Sequence, residues 1–133
     1  MVNEQINERL SAPFNTEAFY TNYRHTFSLV RADTAELRED CYRLRYDVYV
    51  EENGFIPVPS DHETLEYDHY DDRAIHFLLM HNQSGRSVGT IRVLLPNDSA
   101  PHDSFSMQDH CDHPILHDAQ RVQTFCQLSL IHI

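Results

Sequence analysis

Residues 44–55 read LRYDVYVEENGF, and the rest of the chain is read outward from this stretch. Just before and within it, Leu37, Cys41, Leu44 and Val48 recur at spacings of four, three and four. That spacing places them on one buried stripe of a helix. Asp33 is the expected N-cap, with Glu36 three residues on to complete a capping box. Gly54 is the expected stop, because a left-handed position after the last turn costs glycine nothing. Arg45 lies immediately beside the apolar stripe and four residues before Tyr49. A guanidinium at such a place stays buried only if carboxylates pair with it.

Upstream, residues 26–31 alternate weakly and are rich in strand formers, which predicts a first strand. Residues 1–26 are polar with scattered aromatics and read as a short helix or a mobile arm. Downstream, residues 56–72 carry two prolines and many acids and form a long loop, with residues 58–63 an acidic, mobile part of it. Residues 74–81 (AIHFLLMH) and 87–95 (SVGTIRVLL) read as strands. The Ser-Gly within the intervening 82–86 predicts an antiparallel hairpin. A polar loop then runs over 96–113, and 114–122 has room for a helical turn.

The partners that Arg45 requires stand in residues 65–72, LEYDHYDD, as Asp68 and Asp71, and Arg92 in residues 88–95, VGTIRVLL, is a second cation. Two acids and two arginines can close a bidentate network that fixes the loop against the helix. Taken alone, such a cluster is most simply a salt-bridge clasp. His76, among apolar neighbours, is most simply a satisfied core histidine. His110, Cys111, His113 and His117 are zinc-ligand types, yet their spacings fit no standard site, and ten histidines in 133 residues make chance clusters common.

Composition removes several chemistries. All ten basic residues are arginine, so no Schiff-base or phosphate-loop lysine exists. With Gly54, Gly85 and Gly89 the only glycines, no dinucleotide fingerprint or Walker A loop can be written, and no G-x-S-x-G elbow occurs. A net charge of −11 argues against a nucleic-acid partner. No apolar run approaches the ~18 residues that a membrane span needs, and the polar start MVNEQINERL is no signal peptide. A cytoplasmic location with three reduced cysteines is expected.

Arg45, Tyr49, Phe55, Asp68, Asp71 and Arg92, at these spacings across a helix, a loop and a strand, resemble the N-terminal half of the autoinducer (acyl-homoserine-lactone) synthases and the N-acyl amino acid synthases. The chain looks closest to the PEP-CTERM/exosortase-associated acyltransferases, and the likeness covers roughly residues 27–96. It implies an α/β (α+β) GNAT acyltransferase fold, with a mixed, mostly antiparallel sheet and flanking helices. It also implies that these six residues shape the pocket of an amino-acid-like acceptor. Tyr49 stands where the resembled enzymes usually carry Phe, and Phe55 where they usually carry Trp.

The implied donor is an acyl group on the phosphopantetheine of acyl carrier protein, or on coenzyme A; no bound cofactor and no metal is expected. In such enzymes the amine attacks the thioester carbonyl directly, so the protein must align the reactants, take a proton and stabilise an oxyanion. The general base of the family, a glutamate on the fourth strand, is expected beyond the chain's end. Residues 27–127 are then a partial acyltransferase domain, inactive alone. Residues 128–133, LSLIHI, are what a transposon mosaic-end adapter of sequencing libraries encodes in frame, and they are expected to be an artefactual tail. On that reading the hairpin's last strand presents an unpaired edge. The competing readings are a non-catalytic GNAT-like module that binds acyl carrier protein or a small ligand, and a small metal-binding domain. No residue selects S-adenosylmethionine, so lactone formation and simple amino acid acylation stay open.

Overall fold

A computed structural model describes residues 15–60 and 63–132 of the chain. The expected arm therefore lies partly outside the described residues, as do Asp61 and His62 of the acidic loop and the final Ile133. Helix α1, Thr16–Thr26, starts at Asn15, whose side chain accepts from the Ala18 N–H at 3.0 Å. It buries none of its residues. An aromatic series of Phe19, Tyr23, Phe27 and His81 ties it to the sheet, with centroids 5.4–6.3 Å apart.

Strand β1, Phe27–Arg31, leads into helix α2, Ala35–Tyr46. The cap of α2 differs from expectation by one residue. Thr34, in extended backbone, accepts from the Leu37 N–H at 3.3 Å, while Asp33 turns back to pair with Arg31 at 2.8 Å. A neighbouring guanidinium competes for the carboxylate, and the hydroxyl takes over the capping. The stripe holds: Cys41, Leu44 and Val48 are buried and Leu37 half-buried. Past Tyr46 the helix widens into a π turn, Asp47–Glu52. The chain then stops at Gly54, whose φ is 61°.

Strands β2, Ile75–His81, and β3, Arg86–Leu94, form the expected hairpin, with Gly85 at φ 67° in the turn and a bulge at Leu79/Met80. Helices α3, Pro114–His117, and α4, Ala119–Val122, follow in the connection to strand β4, Gln127–His132. The four strands lie in the order β1-β2-β3-β4, all neighbours antiparallel. The class is mixed α/β, as the sequence implies.

The expectation of a bare β3 edge is corrected. Gly89 to Leu94 pair with His132 to Gln127, so the six residues read as a tail include most of a fourth strand. The apolar, strand-favouring composition of LSLIHI and the unmet ladder donors and acceptors of β3 account for the pairing.

One face of the sheet positions the site. Thr90, Arg92 and Leu94 alternate onto it from β3, and Leu78 and His76 lie opposite Thr90 and Arg92. Leu78 packs with Ala32 and Cys41 beneath α2. Leu94 packs with Tyr70, Phe105 and Val122 from the connections. Arg73 holds that second cluster by donating to the carbonyls of Leu95, Asp103 and Ser104. Between the two apolar clusters lies a belt of charge.

Candidate acceptor site

Arg45 of α2 and Arg92 of β3 approach the belt from two sides, and the 66–71 loop supplies its acids. Arg45 Nε donates to Glu66 at 2.6 Å and its Nη1 to Asp71 Oδ1 at 2.7 Å. Arg92 Nη1 donates to Asp68 Oδ1 at 2.9 Å and to Asp71 Oδ1 at 3.0 Å. The loop is wound to fit: the Asp68 N–H donates to Asp71 Oδ2 at 2.7 Å, and the Tyr70 N–H to Asp68 Oδ1 at 2.9 Å. The Glu66 N–H donates to the Tyr42 carbonyl at 3.0 Å, anchoring the loop on α2. Arg45, Asp71 and Arg92 are 4%, 3% and 8% exposed, so the cluster is a core element rather than a solvated clasp.

Burial opposes the charge on each of these groups, and the pairing overrides it. Asp71 is pushed up by burial, yet Arg45, the Asp68 N–H and Arg92 hold its carboxyl below the ordinary range. Desolvation likewise works against Arg45 and Arg92, and their carboxylate partners raise both above the usual guanidinium value. All the carboxylates of the cluster are therefore committed to guanidinium, which leaves Asp71 a poor base.

His76 joins the cluster. Its Nε2 lies 3.3 Å from the Asp71 carbonyl and 3.6 Å from Asp71 Oδ1, with the ring edge-on to Tyr42. Burial holds the imidazole below its usual pKa against the upward pull of the Asp71 carbonyl and carboxylate, and Arg45 and Arg92 add smaller pushes in the same sense as burial. His76 Nδ1 and Arg92 Nε are buried without a hydrogen-bond partner among the described residues.

Beside the belt opens a small recess lined by Arg45, Tyr49, Thr90, Arg92 and Ser129. Thr90 Oγ1 donates to the Phe77 carbonyl at 3.0 Å. Tyr49 is carried there by the π turn, whose wider winding shifts its side chain off the ordinary helical phase. The Tyr49 carbonyl accepts from the Phe55 and Ile56 N–H groups at 2.8 and 3.2 Å, which fixes the turn. Of the six expected site residues, the structure brings Arg45, Asp68, Asp71 and Arg92 into one network and sets Tyr49 beside it. Phe55 stays outside: it is 73% exposed, its ring 6.5 Å from that of Tyr49. With its neighbours in open loop, nothing draws it inward. Glu66 and His76 are the site residues that the pattern alone did not single out for the network.

Residues 44–132 match the family model described as "Acetyltransferase (GNAT) domain". The match covers well over half of the chain, which therefore belongs to the GNAT family. A search of curated proteins and of solved structures found no match. The family's chemistry is transfer of an acetyl or other acyl group, with acyl-CoA as its donor. Among the described residues no helix is long and apolar enough to cross a membrane, and no three His, Cys, Asp or Glu side chains are grouped to hold a metal.

Proposed function

We propose that the chain is the acceptor-side part of an N-acyltransferase, akin to the autoinducer synthases and N-acyl amino acid synthases and closest to the PEP-CTERM/exosortase-associated acyltransferases. The donor is a fatty acyl thioester of acyl carrier protein or coenzyme A, and the acceptor is the amine of an amino-acid-like molecule. Residues 27–127 are taken as the body of the domain, which β4 completes at the sheet edge, and residues 1–26 as its N-terminal arm. The observation that carries this reading is the buried Arg45–Asp71–Arg92 network facing a recess with Tyr49 at its wall. Buried ion pairs seldom strengthen a fold, so holding a polar ligand is a reason for the network that stability alone does not give.

In this reading Asp71 and Asp68 set the two guanidinium planes and Tyr49 and Arg92 meet the acceptor, while Phe55 stands on the loop outside the recess. The 133-residue chain and the product of the open reading frame that carries it are to be incubated with acyl-CoA or acyl carrier protein and a pool of amino acids with their amides and esters. Mass spectrometry of the frame's product should show N-acyl amino acids or a related acyl amide, lost in Asp71→Ala. Products unchanged by that substitution would remove the site assignment.

One observation favours a second reading, a non-catalytic module that binds a small ligand or acyl carrier protein. Each acid in the network is already paired, so none is free to take the acceptor's proton. Acceptor binding by the frame's product without any acyl amide would select that reading.

A further inference from the structure

We infer that the recess selects an uncharged oxygen, such as the carbonyl of an amide or ester, in preference to a carboxylate. The inference rests on the acceptor reading above and names the chemical class of group that anchors the acceptor.

Two facts about the recess fix that class. The first is the direction of its hydrogen bonds. Arg45 and Arg92 only donate. Their Nη2 atoms have no partner among the described residues, and the same holds for the hydroxyls of Tyr49 and Ser129. A buried donor on Arg92, its Nε, is unpartnered as well. The guanidinium groups can only give protons, so they call for a ligand atom with lone pairs, and the two hydroxyls, which can give or accept, can join them on that same atom.

The second fact is the charge behind those donors. The cluster joins two guanidinium groups to the carboxylates of Glu66, Asp68 and Asp71, while His76 is held neutral, so its formal sum is −1. A carboxylate entering the recess would meet two cations in front and three anions just beyond them. The attraction of the near charges is offset by the repulsion of the far ones, and the desolvation of the incoming carboxylate is left uncompensated. A neutral carbonyl keeps the hydrogen bonds to Tyr49 and to the guanidinium edges and pays a far smaller desolvation cost.

The test uses a matched pair of probes without an ammonium group, N-acetylglycinamide and N-acetylglycine. Binding to the 133-residue chain is followed by NMR titration of tyrosine ring and arginine side-chain signals. The titrations are run at about 0.5 M salt, where the long-range repulsion from the chain's net charge is screened. The amide should bind at least about tenfold more tightly than the acid, since like-charge juxtaposition costs several kcal/mol. Tyr49→Phe should weaken the amide and leave the fold intact, because it removes only an unpartnered hydroxyl. Glu66→Gln, which cancels one of the far charges while keeping an oxygen for Arg45, should narrow the gap between the two probes.

Tighter or equal binding of N-acetylglycine would overturn the inference and leave the acceptor site standing. A gap unchanged in Glu66→Gln would also overturn it, because the charge sum would then play no part. Failure of both probes to perturb the recess would overturn the inference, and the loss or persistence of acyl products in Asp71→Ala would decide the acceptor assignment separately.

Discussion

Arg45 is the residue on which the site turns, and its role was legible in advance. A guanidinium beside a buried stripe must be paired, and of the two acids expected to do so Asp71 pairs with Arg45 while Asp68 turns to Arg92 instead. Glu66 was not legible, since nothing in an acidic loop distinguishes the acid that folds under from those that face water. Asp71→Asn or Arg45→Ala should lower stability by roughly 3–5 kcal/mol, the usual result of stranding one member of a buried pair. Urea unfolding midpoints check this, and a change below ~0.5 kcal/mol would mean a solvated cluster. The two titrating groups give opposite ends of one acid profile. Asp71 has a depressed folded pKa, so its stabilisation is complete above the ordinary aspartate value of ~3.9 and is lost as pH falls through the lower folded value. His76 is also depressed, so below ~6.5 the unfolded chain binds a proton that the folded one refuses, and stability declines from there downward. The melting temperature should thus begin to fall near pH 6.5, and His76→Asn should flatten that first part of the slope.

At the scale of elements, periodicity predicted α2, the hairpin strands and the stop at Gly54, and it missed what depends on hydrogen-bond choice. Asp33 and Thr34 are both capping types, and only the pull of Arg31 on Asp33 decides between them. Thr34→Ala should therefore cost about 1 kcal/mol, and Asp33→Ala close to nothing, as read from thermal unfolding. The reverse order would reinstate Asp33 as the cap. The π turn left no trace in the sequence either, because one extra residue per turn keeps the same apolar positions within reach of the core. Gly54 gives a cleaner test. No heavy atom lies within 4 Å of where a Cβ would be added, so Gly54→Ala is penalised by backbone conformation alone. A loss of roughly 1–2 kcal/mol is expected for a left-handed non-glycine residue.

For the molecule as a whole, the order of the sheet sets the order of its opening. Strands β2 and β3 each have two neighbours, whereas β1 and β4 have one. Backbone hydrogen exchange should be slowest in Ile75–His81 and Arg86–Leu94 and faster in Gln127–His132. Weak protection over Arg86–Leu94 would mean that β4 does not hold its place. The opposite face of the sheet carries Leu29 and Leu128 at 56% and 63% exposure. Alternation made that face predictable, but its degree of cover depends on tertiary packing that no local pattern encodes.

The charged belt divides the main sheet face into two hydrophobic halves, one around Leu78 and one around Leu94. Seen as a design problem, it interrupts what would otherwise be a continuous oily interior. Replacing the ionic set together (Arg45→Met, Asp71→Leu and Arg92→Met, with Glu66→Gln and Asp68→Asn so that no carboxylate is left unpaired) spares the interior its dehydrated charge, and such exchanges are commonly neutral or favourable by about 1–4 kcal/mol. The resulting chain would be as sturdy as the natural one, or sturdier. What the arginines contribute is then something other than the strength of the fold.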